Sequence, residues 1–394
     1  MESKPAPLVA GFSVGAASCG LKKTGKPDLG LIFCPEGAAC AGVFTRNRVK
    51  AAPVVISRRR IKAGRCLAVL ANAGNANACT GPEGMAAALE AGRAAAKALG
   101  IPEVQVLLAS TGVIGKVLPA QQVARAVPGL VRGLSRADQA GLTAVASAIM
   151  TTDTFPKLAW RSGEGYSVAG VAKGAGMIAP DMATMLAFVL TDAPIDAMTL
   201  QGLLTQAAET TFNRVTVDGD SSTNDTLLIL ASGKGKALKG RALTGFAEAL
   251  FGVCYDLARM IARDGEGATR LVEVKLSGAK TQKEALAAAR CVANSPLVKT
   301  AIYGRDANWG RIMAAVGRSG ARLNPAKVSI SFGKAQVVRG GLTLGPRAEA
   351  AAAREMEAEE IVLSIDLGAG EAEEVVWTCD LTPEYIKINA DYRT

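Results

Sequence analysis

Histidine is absent from this chain of 394 residues. Its absence excludes Ser-His-Asp and Cys-His mechanisms and histidine-ligated zinc sites, because each of them lacks its base or ligand. A nucleophile in this chain must therefore use another base: a lysine of lowered pKa, a carboxylate or an α-amino group. The α-amino group has an ordinary pKa of roughly 7.7 to 8.0, which suits proton transfer near neutral pH.

Long apolar runs are also missing. No run approaches the roughly 18 residues of a membrane-spanning helix, and the first residues do not place a basic region before an apolar core. We therefore expect no membrane partner and a cytoplasmic location by default. The eight cysteines include no C-x-x-C pair, and in so long a chain they predict buried thiols in place of a disulfide framework.

Aromatic residues make up only 4% of the chain, while its formal net charge is +10. Basic residues are densest in TRNRVK and SRRRIK, between residues 45 and 62. A basic patch is typical of nucleic-acid binding, but no nucleic-acid motif accompanies it here. A solvated basic face, or general attraction of anionic small substrates, accounts for it better, and we predict no nucleic-acid partner.

The order of elements indicates an α/β fold with two domains. Alanine-rich segments with helical periodicity lie at 84–100, 142–150, 198–212 and 242–263, with short β-like runs between them. After about residue 270 the sequence becomes mostly strands. We predict a layered α/β body over residues 1–280 and a smaller C-terminal α+β domain over residues 281–394.

A glycine turn offers a candidate site for binding an oxyanion. In LASTGVIGK (108–116), Thr111 and Gly112 come just after a predicted strand, where backbone N–H groups and a hydroxyl can converge on developing negative charge. A plain β-turn is the commoner explanation of such a stretch.

Two further loops are rich in oxygen atoms: DGEGAT (264–269) and VDGDSSTNDT (217–226). The first lacks the acidic spacing of a calcium site, and clusters of Asp, Asn and Ser usually satisfy their own turns. We predict no metal site.

The stretch KGAGMIAPDMATML (173–186) runs from a glycine-rich loop directly into an apolar segment. If the bond between Ala183 and Thr184 were cleaved, the threonine hydroxyl would gain an α-amino base on its own residue. The glycines and the proline suit a strained loop in which an N-to-O acyl shift can occur. The pattern alone favours a simple strand start, because threonine is common in strands.

KGAGMIAPDMATML resembles the signature of the ornithine acetyltransferase family, also called glutamate N-acetyltransferases, whose chains cut themselves before the threonine of A-T-M-L. The resemblance extends in order over nearly the whole chain, and it implies a layered αββα sandwich like that of self-processing aminopeptidases, with a C-terminal tail that closes the active site. The other motifs that carry it are VFTRN, ANAGNANACTG, STGVIG, MTTDTFPK, FNRVTVDGDSSTNDT, DGEGATR, NSPLVKTAIYGRDANWGRI and YIKINADYRT.

The resemblance implies a role for each matching residue. Thr184 would be the nucleophile, and cleavage between Ala183 and Thr184 would give an α chain (1–183) and a β chain (184–394). Thr111 and Gly112 would form the oxyanion hole. The substrate-binding positions would be Thr151, Lys173, Thr184, Glu266, Asn389 and Thr394. Asp181 departs from the family's pattern, which has asparagine there, and we expect cleavage to survive the change.

The implied reaction moves an acetyl group from N-acetylornithine to glutamate through an acetyl-threonine ester, without a metal or cofactor. Acetyl-CoA stays open as an alternative donor, and the two fragments of the precursor would assemble as (αβ)₂. One alternative is a self-processing amidase or aminopeptidase that releases the acyl group to water. Another is a non-catalytic binding protein on the same scaffold.

Overall fold

The computed structural model describes residues 6–179, 185–233 and 235–391. The chain divides into two compact units, each described here by itself. Unit 1 comprises Met1–Asn213 and Asp220–Ile261, and unit 2 comprises Arg214–Gly219 and Ala262–Thr394. The limits of 1–280 for the α/β body and 281–394 for the C-terminal α+β domain stay a prediction.

The strands of unit 1 join into one sheet that is folded into two leaves. The order is β4-β3-β2-β9-β8-β7-β6, and β1 pairs with both β2 and β5. Residues 29–33 and 38–39 of β2 pair with β3 on the two sides of a register shift, and residues 39–44 pair with β9. The strands are β1 (Ser13–Ala17), β2 (Leu29–Phe44), β3 (Arg65–Asn75), β4 (Val106–Val113), β5 (Ser135–Arg136), β6 (Lys157–Gly163), β7 (Tyr166–Lys173), β8 (Leu186–Thr191) and β9 (Thr226–Ala231).

Helices cover the outer face of each leaf. Along β3, Leu70 packs with helices α2 and α3 on one side, and its neighbour Val69 packs with Phe188 of β8 on the other. On β7, Gly170 leaves room for Val253 and Leu257 of α6. The helices are α1 (Ala52–Arg60), α2 (Gly81–Leu99), α3 (Ala120–Arg132), α4 (Gln139–Ile149), α5 (Ala197–Thr210) and α6 (Arg241–Arg263). This order of layers confirms the predicted αββα sandwich.

The helix ends follow from local capping chemistry. Asp138 accepts a hydrogen bond from Gly141 N at the start of α4, and Asp196 accepts from Met198 N and Thr199 N at the start of α5. Gly100, at φ +68°, ends α2 in the left-handed conformation. The four helices predicted from alanine-rich periodicity are confirmed as α2, α4, α5 and α6, with ends shifted by up to three residues.

Unit 2 contains a second sheet, of order β13-β12-β11-β14-β10-β15. Its core includes Val274, Leu276, Ala289, Ile330 and Leu363, which come from adjacent strands of this sheet and from α7. The strands are β10 (Leu271–Ala279), β11 (Ser329–Phe332), β12 (Ala335–Arg339), β13 (Leu342–Thr343), β14 (Glu360–Asp366) and β15 (Ala372–Cys379). The helices are α7 (Gln282–Ala293), α8 (Pro296–Tyr303), α9 (Trp309–Gly317), α10 (Pro346–Glu355) and α11 (Pro383–Ala390).

Cysteine burial agrees with the expectation from the sequence. Five of the eight thiols are buried, Cys19 and Cys291 are half-buried, Cys79 is exposed, and all eight are free. Within the described ranges, none of the helices has both the length and the apolar character needed to span a bilayer.

Candidate functional site

Thr111 and Gly112 lie near the end of β4 in unit 1. The prediction that they follow a strand is wrong, because both lie within β4, which continues to Val113 and still pairs there with β3. Gly112 has φ +132°, and a Cβ atom there would lie 2.4 Å from Gly74 C and 2.5 Å from Asn75 N. The close approach of the two backbones therefore requires glycine at position 112.

Lys173, the last residue of β7, brings a positive charge to Thr111. Its side chain is buried, at 2% exposure, and its Nζ donates to Thr111 Oγ1 over 3.3 Å. This contact joins the end of one leaf to the end of the other. Because the threonine oxygen accepts from the ammonium group, its own hydroxyl proton is directed elsewhere.

Asp153 supplies the negative charge beside this lysine. Its carboxylate accepts from Lys157 Nζ at 2.7 Å, from Gly174 N at 2.6 Å and from Thr151 N at 2.9 Å. Burial raises the pKa of this carboxyl, but the ammonium groups of Lys173 and Lys157 outweigh it and hold the pKa at about 2. Asp153 thereby fixes the loop that carries Thr151 next to Lys173.

The loop before β9 reaches both leaves through two consecutive buried side chains. Asn224 Nδ2 donates to Ser110 O over 2.8 Å and to Ala76 O over 2.7 Å, beside the oxyanion candidates. Asp225 Oδ1 accepts from Met185 N over 3.2 Å. Met185 is also held through its carbonyl oxygen, which accepts from Thr226 N at 3.1 Å.

The carboxyl of Asp225 is completely buried, and burial raises its pKa well above the usual range. The hydrogen bond from Met185 N, the nearby hydroxyls of Thr45 and Ser222, and the charge of Lys173 oppose that shift only in part. Burial in this loop therefore makes the charged form of Asp225 less favourable than that of an exposed carboxyl.

The central prediction from the sequence falls on residues that the structure does not describe. Asp181, Ala183, Thr184 and Thr394 all lie outside the described ranges. The described chain resumes at Met185, which is 1% exposed and directly precedes β8.

Unit 2 holds the two other predicted substrate-binding residues. Glu266 is 7% exposed, and its Oε2 accepts from Asn389 Nδ2 over 2.8 Å. Thr382, at the start of α11, donates from its hydroxyl to Gly267 O over 2.7 Å. That bond ties the Glu266 loop to the helix that carries Asn389.

The oxygen-rich loops form hydrogen bonds to neighbouring elements. For example, Asp380 accepts from Thr269 N at 2.8 Å and from Arg270 N at 3.0 Å. Within the described part of the chain, no three His, Cys, Asp or Glu residues are grouped so as to hold a metal ion.

The model of the ArgJ family matches residues 13–394. The chain belongs to the ArgJ family. It is 53% identical over 393 residues to the arginine biosynthesis bifunctional protein ArgJ of Syntrophotalea carbinolica, covering 98% of this chain and 99% of that one. It is 48% identical over 394 residues to the protein of the same name from Geobacter sulfurreducens, covering 98% and 100%.

A solved ArgJ structure shares part of this chain's fold. The crystal structure of the arginine biosynthesis bifunctional protein ArgJ from Bacillus halodurans is 45% identical, with a TM-score of 0.50. The match covers 52% of this chain and 97% of that chain. These ArgJ relatives confirm the family that the sequence motifs indicated.

The structure brings Thr111, Gly112 and Lys173 together in unit 1, with Thr151 held through Asp153, and it joins Glu266 to Asn389 in unit 2. The sequence reasoning did not assign Asp153, Lys157, Asn224 or Asp225. Each stands in a quoted ArgJ motif, MTTDTFPK or FNRVTVDGDSSTNDT. The spacing of four residues between Asp153 and Lys157 could have indicated that these two side chains form an ion pair. Nothing in the sequence showed which atoms the other two would reach.

Proposed function

We propose that this chain is activated by cleavage before Thr184 and then transfers acetyl groups from N2-acetyl-L-ornithine to L-glutamate. Membership of the ArgJ family makes it a glutamate N-acetyltransferase, or ornithine acetyltransferase, of arginine biosynthesis. The observation that best supports the finer mechanism is the buried contact from Lys173 to Thr111 at the joined strand ends. It leaves the Thr111 hydroxyl proton available to an oxyanion.

Processing would supply the base that the composition otherwise lacks. The hydroxyl of Thr184 attacks the carbonyl carbon of Ala183, the amide C–N bond breaks, and water hydrolyses the resulting ester. The nitrogen released from the amide becomes the α-amino group of Thr184. A chain without histidine then has a proton acceptor on the nucleophile's own residue.

Acetyl transfer would follow in two steps. Thr184 Oγ attacks the acetyl carbonyl of acetylornithine, its proton passes to the α-amino group, and that proton goes to the amine of departing ornithine. The amine of glutamate then attacks the acetyl-threonine ester, and the proton that it loses returns to Thr184 Oγ. Thr111 and Gly112 stabilise the oxyanion in both steps, and the exchange is ping-pong.

The charges at the strand ends suit an amino-acid substrate. Lys173 and Lys157 carry two positive charges, and Asp153, with its pKa held at about 2, carries one negative charge. The surplus positive charge favours a substrate carboxylate near Lys173. Glu266 and Asn389, with Thr151 and Thr394, stay predicted substrate-binding residues.

The length of the solved relative supports division of the precursor. Nearly all of the Bacillus halodurans chain corresponds to about half of this one, as expected for one fragment of a divided protein. We further propose assembly as (αβ)₂ and a cytoplasmic location. The proposed chemistry uses no cofactor, and acetyl-CoA stays an alternative donor.

The decisive assay incubates purified protein with acetylornithine in the presence and absence of glutamate. We expect N-acetylglutamate to form only when glutamate is added, and acetyl-Thr184 to accumulate without it. Equal release of acetate under both conditions would favour the hydrolase, and an intact chain without acetylation would favour the binding protein. Acetyl-CoA with glutamate, in the same assay, tests the alternative donor.

Thr111→Ala tests the oxyanion assignment. Loss of one donor lowers turnover by roughly 10² to 10³-fold, while folding is preserved. The control is Thr205→Ala on α5, where the hydroxyl donates to Gln201 O and accepts from Gln201 Nε2 within the same helix. Wild-type turnover by Thr111→Ala would contradict the assignment.

A further inference from the structure

Asn224 connects the loop before β9 to the strand end that carries the oxyanion candidates. Its side chain is 4% exposed, and its amide donates to the carbonyl oxygens of both Ser110 and Ala76. Ser110 directly precedes Thr111 in β4. Asn224 therefore holds the carbonyl oxygen of the peptide group that links Ser110 to Thr111.

Asp225 connects the same loop to the start of β8. Its Oδ1 accepts the amide of Met185, and the next residue along, Thr226, donates its own amide to the Met185 carbonyl. Met185 is thus held at both polar backbone atoms. It is the residue directly after the predicted nucleophile.

The second oxygen of Asp225 forms no hydrogen bond with any residue that the structure describes. A buried polar atom without a partner lowers the stability of a fold, and a well-packed apolar side chain would avoid that loss. A chain retains such an atom where the side chain has a local role. The unpaired oxygen therefore singles out Asp225 among the buried polar residues of this loop.

We propose that Asn224 and Asp225 are a pair of positioning residues, which together set the separation between the Thr111 strand end and Met185. The proposal rests on the function proposed above. Because consecutive side chains on one short loop hold the Thr111 strand end and Met185, the distance between these two parts depends on that single segment. That segment is fixed in turn by the hydrogen bonds from Thr45 N to Asp225 O at 3.0 Å and from Ala51 N to Thr223 O at 3.0 Å.

The positioning role of Asp225 depends on the side-chain oxygen that accepts the Met185 amide. Asparagine keeps a carbonyl oxygen for the Met185 amide and has nearly the same volume, so Asp225→Asn preserves the contact. Asp225→Leu fills a similar space but offers no acceptor. Asn224→Ala removes the donor to Ser110 and leaves Asp225 in place.

The test measures processing and then kcat and KM of the processed enzyme in these variants. Misplacement of reacting groups by about 1 Å costs up to about 100-fold in rate. We expect Asp225→Leu and Asn224→Ala to lower kcat by about 10- to 100-fold and to change KM by less than about 3-fold. Asp225→Asn should keep kcat within about 3-fold of wild type. The double variant Asn224→Ala/Asp225→Leu should lose less than the product of the two single effects.

The control is Asn47→Ala, which removes amide contacts to Ser221 on the same loop but touches neither strand end. Wild-type kcat in Asp225→Leu and Asn224→Ala would overturn the inference, and so would a loss in Asp225→Asn equal to that in Asp225→Leu. If Asp225→Leu fails to fold, the kcat values of Asn224→Ala and Asp225→Asn still test the positioning role. Wild-type protein that is neither cleaved nor active would instead refute the proposed function itself.

Discussion

Replacing Asp153 with asparagine should destabilise unit 1 strongly at neutral pH. The carboxylate faces two buried ammonium groups, bonded to one at 2.7 Å, and it accepts two backbone amides. Asparagine retains an acceptor but leaves both positive charges uncompensated. Breaking a buried pair in this way costs about 3 to 5 kcal/mol, which for a unit of this size lowers Tm by about 6 to 20 °C.

The pH dependence gives the same prediction a second readout. The pKa of Asp153 falls from an ordinary 3.8 to about 2, which corresponds to about 2 to 3 kcal/mol of folding free energy. Because the folded pKa is the lower one, this contribution is complete above about pH 5 and is lost as pH falls through 4 towards 2. The Tm difference between wild type and Asp153→Asn should therefore narrow below about pH 4.

Calorimetry from pH 7 to pH 3 measures both effects. Asp138→Asn, at the N-cap of α4, is the control, because asparagine and aspartate cap helices about equally well and its Tm should change little. A Tm loss of less than about 2 °C for Asp153→Asn at pH 7, or a difference that stays constant down to pH 3, would refute the reasoning.

Three further predictions follow from the same strand ends. Gly112→Ala forces a Cβ into the backbone of Gly74, so both Tm and turnover should fall. The control is Gly202→Ala on α5, where an added Cβ meets no atom of another element within 4 Å, so turnover should stay unchanged and Tm should not fall. Lys173→Met removes the charge predicted to bind a substrate carboxylate, so KM for glutamate should rise at least about 10-fold in steady-state kinetics, and an unchanged KM would contradict that role. The raised pKa of Asp225 makes wild-type stability fall as pH rises above the pKa of this carboxyl in the unfolded chain. The Tm of Asp225→Asn should therefore rise relative to that of wild type between pH 4 and pH 8, and an equal Tm difference at the two pH values would contradict the raised pKa.

Much of the fold follows from patterns that the sequence carries locally. Period-2 alternation places Val69 and Leu70 on opposite faces of β3, and Asp138 and Asp196 mark helix starts through their side-chain oxygens. The folding of one sheet into two leaves was not predictable in this way. It depends on which strands β2 has beside it: residues 29–33 pair with β1 and β3, whereas residues 39–44 pair with β9. Pro35 and Gly37 mark an interruption between these two stretches, but they do not indicate which strand pairs beyond it.

The candidate site shows the same limit. The resemblance to the family's motifs, in their order along the chain, identified Thr111, Gly112, Lys173, Glu266 and Asn389 as site residues. It did not supply the contacts, because these join positions far apart in the chain, such as Lys173 to Thr111 or Asn389 to Glu266. Whether a buried carboxyl is charged also depends on such neighbours, and sequence alone does not distinguish an aspartate beside two lysines from one surrounded by apolar atoms.

The proposed mechanism requires that the chain make its own nucleophile by breaking the bond before Thr184. N-terminal sequencing of purified wild type, with Thr184→Ala as the control, tests it most directly. We expect a second N-terminus reading Thr-Met-Leu-Ala in the wild type and none in the variant. A wild-type protein that transfers acetyl groups while its chain stays intact would contradict it.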